Sequence, residues 1–353
     1  MSGNASAVVR RARRKRLAAA LAGLAALVLA ACGPRPTHVA ERPTPRIDGA
    51  GLNVAMEALT ARAAPGVLGA AILDLRTGES WSHNGDHPFP MAGLASLPIV
   101  AAALAERDAG RLDLAQPVEI ADTDLSPPPS PIARAWPGRR LYSVGELLAA
   151  AAAGDSTATD VVMKRIGGPG AVGGWLQSRR LDGIRVDRYT RQVGCEMSGL
   201  ASFRADWAAE PAFAAALAAV PEPRRRAAQI EYLRERQDTA TPRGVLALLG
   251  QLDGGELLEP DSARRLLTLM SRPAAGPERL RHGFPPGTRI AHAVGTARAD
   301  LGVEPAANEA GIVVLPDGRR YAVAVLLAGS PLDPRARDAL FVDVGKAMAR
   351  RLG

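Results

Sequence analysis

The chain has 353 residues, a formal net charge of +8, 47% hydrophobic residues and only 4% aromatic ones. That length suits one large domain or two small ones, and a core short of rings must lean on Ala, Leu and Val. Arg10, Arg11, Arg13, Arg14, Lys15 and Arg16 precede every acidic residue and leave +2 for the remainder, so the basic balance belongs to the N-terminus and makes no case for nucleic-acid binding.

The basic stretch is followed by an apolar run over residues 17–31 and then Cys32. That run is too short to span a membrane and reads as a secretory signal over residues 1–31. Leu29-Ala30-Ala31-Cys32 resembles a bacterial lipobox, which implies cleavage before Cys32 and lipidation of its thiol. An ordinary signal with an incidental cysteine is the alternative. The mature protein is then exported and held by a lipid, on the outer side of the cytoplasmic membrane or in an outer membrane. Only one other cysteine exists, Cys195, so no internal disulfide forms, and Cys195 reads as a small buried residue.

Residues 32–48 carry Pro34, Pro36, Pro43 and Pro45 and read as a tether, with the folded domain over residues 49–353. Leu52, Met56, Leu59 and Ala63 recur at helical spacing. Residues 66–75 and 80–83 read as strands around a turn at residues 76–79. Phe89-Pro90-Met91-Ala92-Gly93-Leu94-Ala95-Ser96 then leads into a buried helix ending at Gly110. Residues 126–138 hold five prolines and read as a stiff loop without a helix. Ser143 and Glu146 form a capping box for the next helix. Helices are predicted over residues 157–166 and 169–179, through the Ala- and Arg-rich stretch 198–237, from Thr241-Pro242, and over residues 259–270. Strands are predicted at residues 289–297, 307–315 and 320–328, with a turn at Pro316-Asp317-Gly318. A helix over residues 334–351 closes the chain. The order implies an α/β (α+β) fold: a sheet assembled from both chain ends around an inserted all-helical subdomain.

Several stretches of this sequence resemble the class A β-lactamase family of penicillin-binding serine hydrolases. They are Phe89-Pro90-Met91, Asp108-Ala109-Gly110, residues 144–148, Ile166-Gly167-Gly168-Pro169, Arg185-Val186-Asp187-Arg188-Tyr189 and Asp238-Thr239-Ala240-Thr241-Pro242. The resemblance covers residues 50–352 and implies a five-stranded antiparallel sheet. It also implies a serine nucleophile and a lysine in a Ser-x-x-Lys pair at the start of the central helix. Here those positions are Gly93 and Ser96. The three lysines, Lys15, Lys164 and Lys346, are preceded at that spacing by Ala12, Val161 and Asp343, so the pair exists nowhere in the chain. The Ser-Asp-Asn loop reads Gly154-Asp155-Ser156, in which Asp155 can be structural. The omega-loop glutamate aligns with Thr190 and its asparagine partner with Gly194. The Lys-Thr-Gly strand reads Ala293-Val294-Gly295, followed by Thr296.

Two readings follow. In the first, the protein is a lipid-anchored, catalytically inactive family member with a binding or scaffold role in the envelope, toward a peptidoglycan-related ligand or an envelope protein. Backbone N–H groups at Gly93 and Thr296 would then form an anion pocket. In the second, a rebuilt hydrolase uses Ser96 or Ser156, with His292 as base. No cofactor or metal is implied. Ser96 precedes Leu97-Pro98 and reads as an N-cap, which starts the central helix about three residues after Gly93. His292 reads as a surface or strand-edge residue.

Overall fold

Contacts divide the chain into residues 1–44 and a compact unit, Pro45–Gly353. The computed structural model describes residues 47–272 and 279–353, so the signal, Cys32 and most of the tether lie outside the described residues. Ile47 is buried and bridges to Leu352, and Asp48 caps the first helix through Gly51 N at 2.9 Å. The folded unit therefore already includes Ile47, two residues ahead of the boundary read at 49.

Helix α1 (Gly49–Ala63) is followed by the hairpin β1 (Val67–Asp74) and β2 (Ser80–His83). The short strand β3 (Phe89–Pro90) feeds a 3-10 turn, Ala92–Ala95, and then α2 (Ser96–Asp108). The middle of the chain holds β4 (Pro117–Glu119), α3 (Pro131–Ala135), β5 (Leu141–Ser143), α4 (Val144–Ala152), α5 (Ser156–Arg165) and α6 (Pro169–Ser178). It continues with α7 (Thr190–Glu196), α8 (Glu210–Ala218), α9 (Glu222–Arg234), β6 (Thr239–Ala240), α10 (Pro242–Asp253) and α11 (Pro260–Met270). The chain closes with β7 (Arg289–Thr296), β8 (Glu304–Val314), β9 (Arg320–Ser330) and α12 (Pro334–Ala349).

The main sheet has the order β2-β1-β9-β8-β7, and all its pairings are antiparallel. Strands from both chain ends thus meet in one sheet, as the element order implied. β9 shows why few rings suffice. Ala322, Ala324, Leu326 and Ala328 face the helical region, while Tyr321, Val323, Val325 and Leu327 face the terminal helices α1 and α12. An alanine-lined face lets helix backbones approach closely, and burial on both faces makes the strand read as a continuous apolar run.

Two local expectations are corrected. The proline-rich loop does contain a helix, α3: Pro131 stands at its first position, where the missing N–H costs nothing, and Ser130 caps Ala133 N at 3.0 Å. The stretch 198–237 is helical only in a 3-10 turn, Ala205–Trp207, and in α8 and α9, each of these two entered through a proline in the first turn.

Glu304 and Arg337 pair across β8 and α12 at 2.5 Å, with side chains 5% and 9% exposed. Burial pushes the Glu304 carboxyl up to about 7, against the pull of Arg337. The folded state then binds more protons than the unfolded chain between the ordinary glutamate value and about 7, so stability falls as pH rises through that window. The expected loss from this group is about 1–3 kcal/mol. Urea midpoints at pH 5 and pH 8 should drop more for the native protein than for Glu304→Gln. Equal drops would refute the assignment.

Candidate functional site

The site forms where the central helix meets the edge of the sheet. Strand β7 is the edge strand, and its Gly295 lies opposite Asn308 of β8. A Cβ on Gly295 would fall 2.2 Å from Leu94 N and 2.5 Å from Met91 O, so only glycine lets β7 touch the 3-10 turn. From the other side, the fully buried Asn308 amide donates to Pro90 O and Met91 O, both at 2.9 Å. Ala92 within this turn has φ +47°, an uncommon conformation for a residue with a side chain. The turn is therefore fixed by two strands more than two hundred residues downstream. Asn308 escaped the sequence reading, because nothing local marks a strand asparagine as a clamp.

Position 93 faces β7: a Cβ on Gly93 would meet Gly295 Cα and Val294 O, both at 3.3 Å. The α-helix proper begins at Ser96, three residues after Gly93, as expected. Ser96 is not its cap, however. Ala95 holds the cap position, and Ser96 already has helical backbone angles and is buried. The preceding 3-10 turn supplies the helix entry in place of a side-chain cap.

The loop position, Gly154-Asp155-Ser156, is structural at its centre. Asp155 accepts from Ser130 Oγ at 2.9 Å, Ile132 N at 2.8 Å and Ala158 N at 2.9 Å, joining α3 to α5. Burial raises its carboxyl above the ordinary value despite those bonds. Ser156 Oγ donates to Pro127 O at 2.8 Å, so its proton is committed to the backbone.

Thr190 begins α7, and its hydroxyl and N–H both donate to Asp160 Oδ1. Oδ2 of Asp160 accepts from Ser126 Oγ at 2.7 Å and Arg191 N at 2.9 Å. Asp160 is thus the buried clamp of this loop and has no free oxygen with which to act as a base. Burial raises its pKa, which these bonds partly offset. Cys195 is buried in the same helix, and burial pushes its thiol up to about 11, which suits an inert residue.

His292 does not face this site. Ala293 packs toward the helical core, so its neighbour His292 points to the opposite face of β7, where Ile290 packs with the terminal helices. Its Nδ1 is 2.7 Å from Glu309 Oε1, and the pair is buried beside Arg279. Of the two expectations for His292, the surface one is corrected, because the residue is buried, while it does lie on the edge strand β7; the sheet separates it from both Ser96 and Ser156.

Around Gly93, Gly154, Thr190 and Gly194 lies a cavity of about 380 Å³. Pro127, Pro128 and Pro129 form one wall, and Ile99 and Val193 another. Phe213 of α8 and Tyr232 of α9 add a third, so the segment between residues 185–189 and 238–242 covers the site. Its base is tied by Arg188, which bonds Asp238 Oδ2 at 2.7 Å, Glu235 Oε1 at 2.5 Å and Glu196 Oε2 at 2.6 Å. Burial opposes the Arg188 charge, but Glu235 and Asp238 hold its pKa above the ordinary guanidinium value. The far end is tied by Arg225 to Asp300 and by Arg298 to Glu210.

The profile of the family described as "Beta-lactamase enzyme family" matches residues 52–352. The chain belongs to this family. The VEB-1 β-lactamase of Pseudomonas aeruginosa is 25% identical over 283 residues, covering 79% of this chain and 83% of that one. A β-lactamase of Mycobacterium tuberculosis is 26% identical over 289 residues, covering 80% of each chain. Among solved structures, a β-lactamase from Chitinophaga pinensis superposes with a TM-score of 0.69 at 24% identity, covering 85% of this chain and 98% of that one. This family membership agrees with the mixed fold and the five-stranded antiparallel sheet. Gly93 and the buried Ser96 are the residues found at the turn and helix start where the resemblance implies the Ser-x-x-Lys pair.

Proposed function

We propose that this β-lactamase-family protein binds a ligand in its ancestral cleft without hydrolysing it, and that it does so in the cell envelope, anchored through a lipid on Cys32. The observation that carries this reading is Gly93, whose missing side chain leaves no nucleophile at the turn held by Gly295 and Asn308. No ionisable base replaces the lysine, since Ser96 is the residue there. Losing nucleophile and base together removes the catalytic unit, because such residues act jointly and not additively. The relatives' activity on β-lactams is the function this chain would have lost.

Intact mass of the full-length protein should be unchanged after incubation with benzylpenicillin, and a chromogenic cephalosporin should not turn over. Gly93→Ser alone should not restore turnover, since a serine at its free pKa is weak without a base. A covalent adduct on the native protein would overturn the reading. A second reading, a rebuilt hydrolase, draws on the hydroxyls of Ser156 and Thr190 in the cavity wall. It requires activity that Ser156→Ala or Thr190→Ala removes. Activity that also survives Ser96→Ala would leave that reading without a serine to use.

A further inference from the structure

We propose that the cavity takes a neutral, mainly apolar small molecule and disfavours ligands bearing a carboxylate. This rests on the reading of the cleft as a binding site without turnover. Its volume of about 380 Å³ lies at the small end of the range for small-molecule sites. The wall is mostly apolar, and four of its side-chain hydroxyls are already engaged. Ser156 Oγ donates to Pro127 O, Thr159 Oγ1 to Asp155 O and Ser198 Oγ to Gly194 O. Thr190 Oγ1 donates to Asp160.

The charged lining residues, among those described, are Arg188, Asp238 and Arg298. Arg188 is one cation shared by three carboxylates, so that corner carries more negative than positive charge. Arg298 at the rim is paired with Glu210 at 2.5 Å and lies over the Phe213 ring. An incoming carboxylate must therefore displace Glu210 from Arg298 or compete with Asp238 for Arg188, which is discrimination by charges already paired. A β-lactam drug carries such a carboxylate, so the same charges disfavour it. Tyr232 lines the cavity and is 3% exposed, yet its hydroxyl has no partner among the described residues. That hydroxyl is itself closed off from solvent, so it adds no hydrogen-bonding group to the cavity surface.

The test is calorimetric titration of the full-length protein at pH 7.5 with 2-naphthol and 2-naphthoate, which share an apolar body and differ in charge. The naphthol should bind at least tenfold more tightly. Val193→Trp, which fills the cavity from α7, should abolish its binding. Glu210→Gln frees Arg298 on an exposed rim and should improve naphthoate binding about fivefold with little change for the naphthol. This arm decides the matter even if Val193→Trp fails to fold. Equal or tighter naphthoate binding by the native protein, or naphthol binding that survives Val193→Trp in a folded variant, would overturn the proposal. So would the absence of naphthol binding. Turnover of the cephalosporin would instead overturn the non-hydrolytic reading and leave the charge preference to be judged by the titrations.

Discussion

Replacing Arg188 by alanine is expected to cost about 3–5 kcal/mol of stability, the loss typical of stranding one side of a buried ion pair. The Arg188 side chain is 12% exposed, Asp238 8% and Glu235 17%, so the two carboxylates would stay largely out of water with no cation. Asp238 also accepts from Asp187 N at 2.8 Å and Arg188 N at 3.0 Å, so it cannot readily turn away. The loss should appear as a lower urea midpoint. Arg188→Lys should recover only part of it, because an ammonium cannot span Glu235 and Asp238 as the guanidinium does. The segment over residues 189–237 is closed by this node, so naphthol binding should weaken as well. A loss under about 1 kcal/mol would place Arg188 among ordinary surface pairs and refute the latch.

Gly295→Ala is the second large effect. Both atoms nearest to the added Cβ, Leu94 N at 2.2 Å and Met91 O at 2.5 Å, are backbone, and a flexible side chain is not there to yield. Either β7 or the 3-10 turn must move, against the two hydrogen bonds from Asn308. Overpacking in a tight site costs about 1–3 kcal/mol and occasionally more, and this case should fall at or above the top of that range. The matched control is Gly173→Ala on α6, where an added Cβ meets nothing within 4 Å. There the better helix propensity should raise stability by about 0.5–1 kcal/mol. Opposite signs for the two substitutions in urea unfolding are the expected result. Equal signs would mean that the strand-to-turn contact is not tight.

Much of the architecture was legible because it is written locally. The capping box at Ser143 and Glu146, Gly110 at φ +72° after α2, and the proline-started α10 and α12 all declare themselves within a few residues. Their positions follow the sequence reading to within about two residues. The errors arose where one local signal competed with another. Five prolines hid α3, because proline stops a helix from within and starts one at its first position. Ser96 carries the residue type of a cap, but the 3-10 turn before it took over that task.

The sequence by itself determined that no Ser-x-x-Lys pair is present, whatever the fold. It also implied that both chain ends share one sheet, because the longer strand patterns lie there. The tertiary structure alone decided what surrounds those positions. That Phe213 and Tyr232 cover the cleft, that Arg188 is spent on Asp238, and that His292 faces away are outcomes of contacts between residues far apart in the chain. Local periodicity places a side chain on a face of its own element. Which element that face then meets is settled by packing, and with it the charge and shape of the cavity.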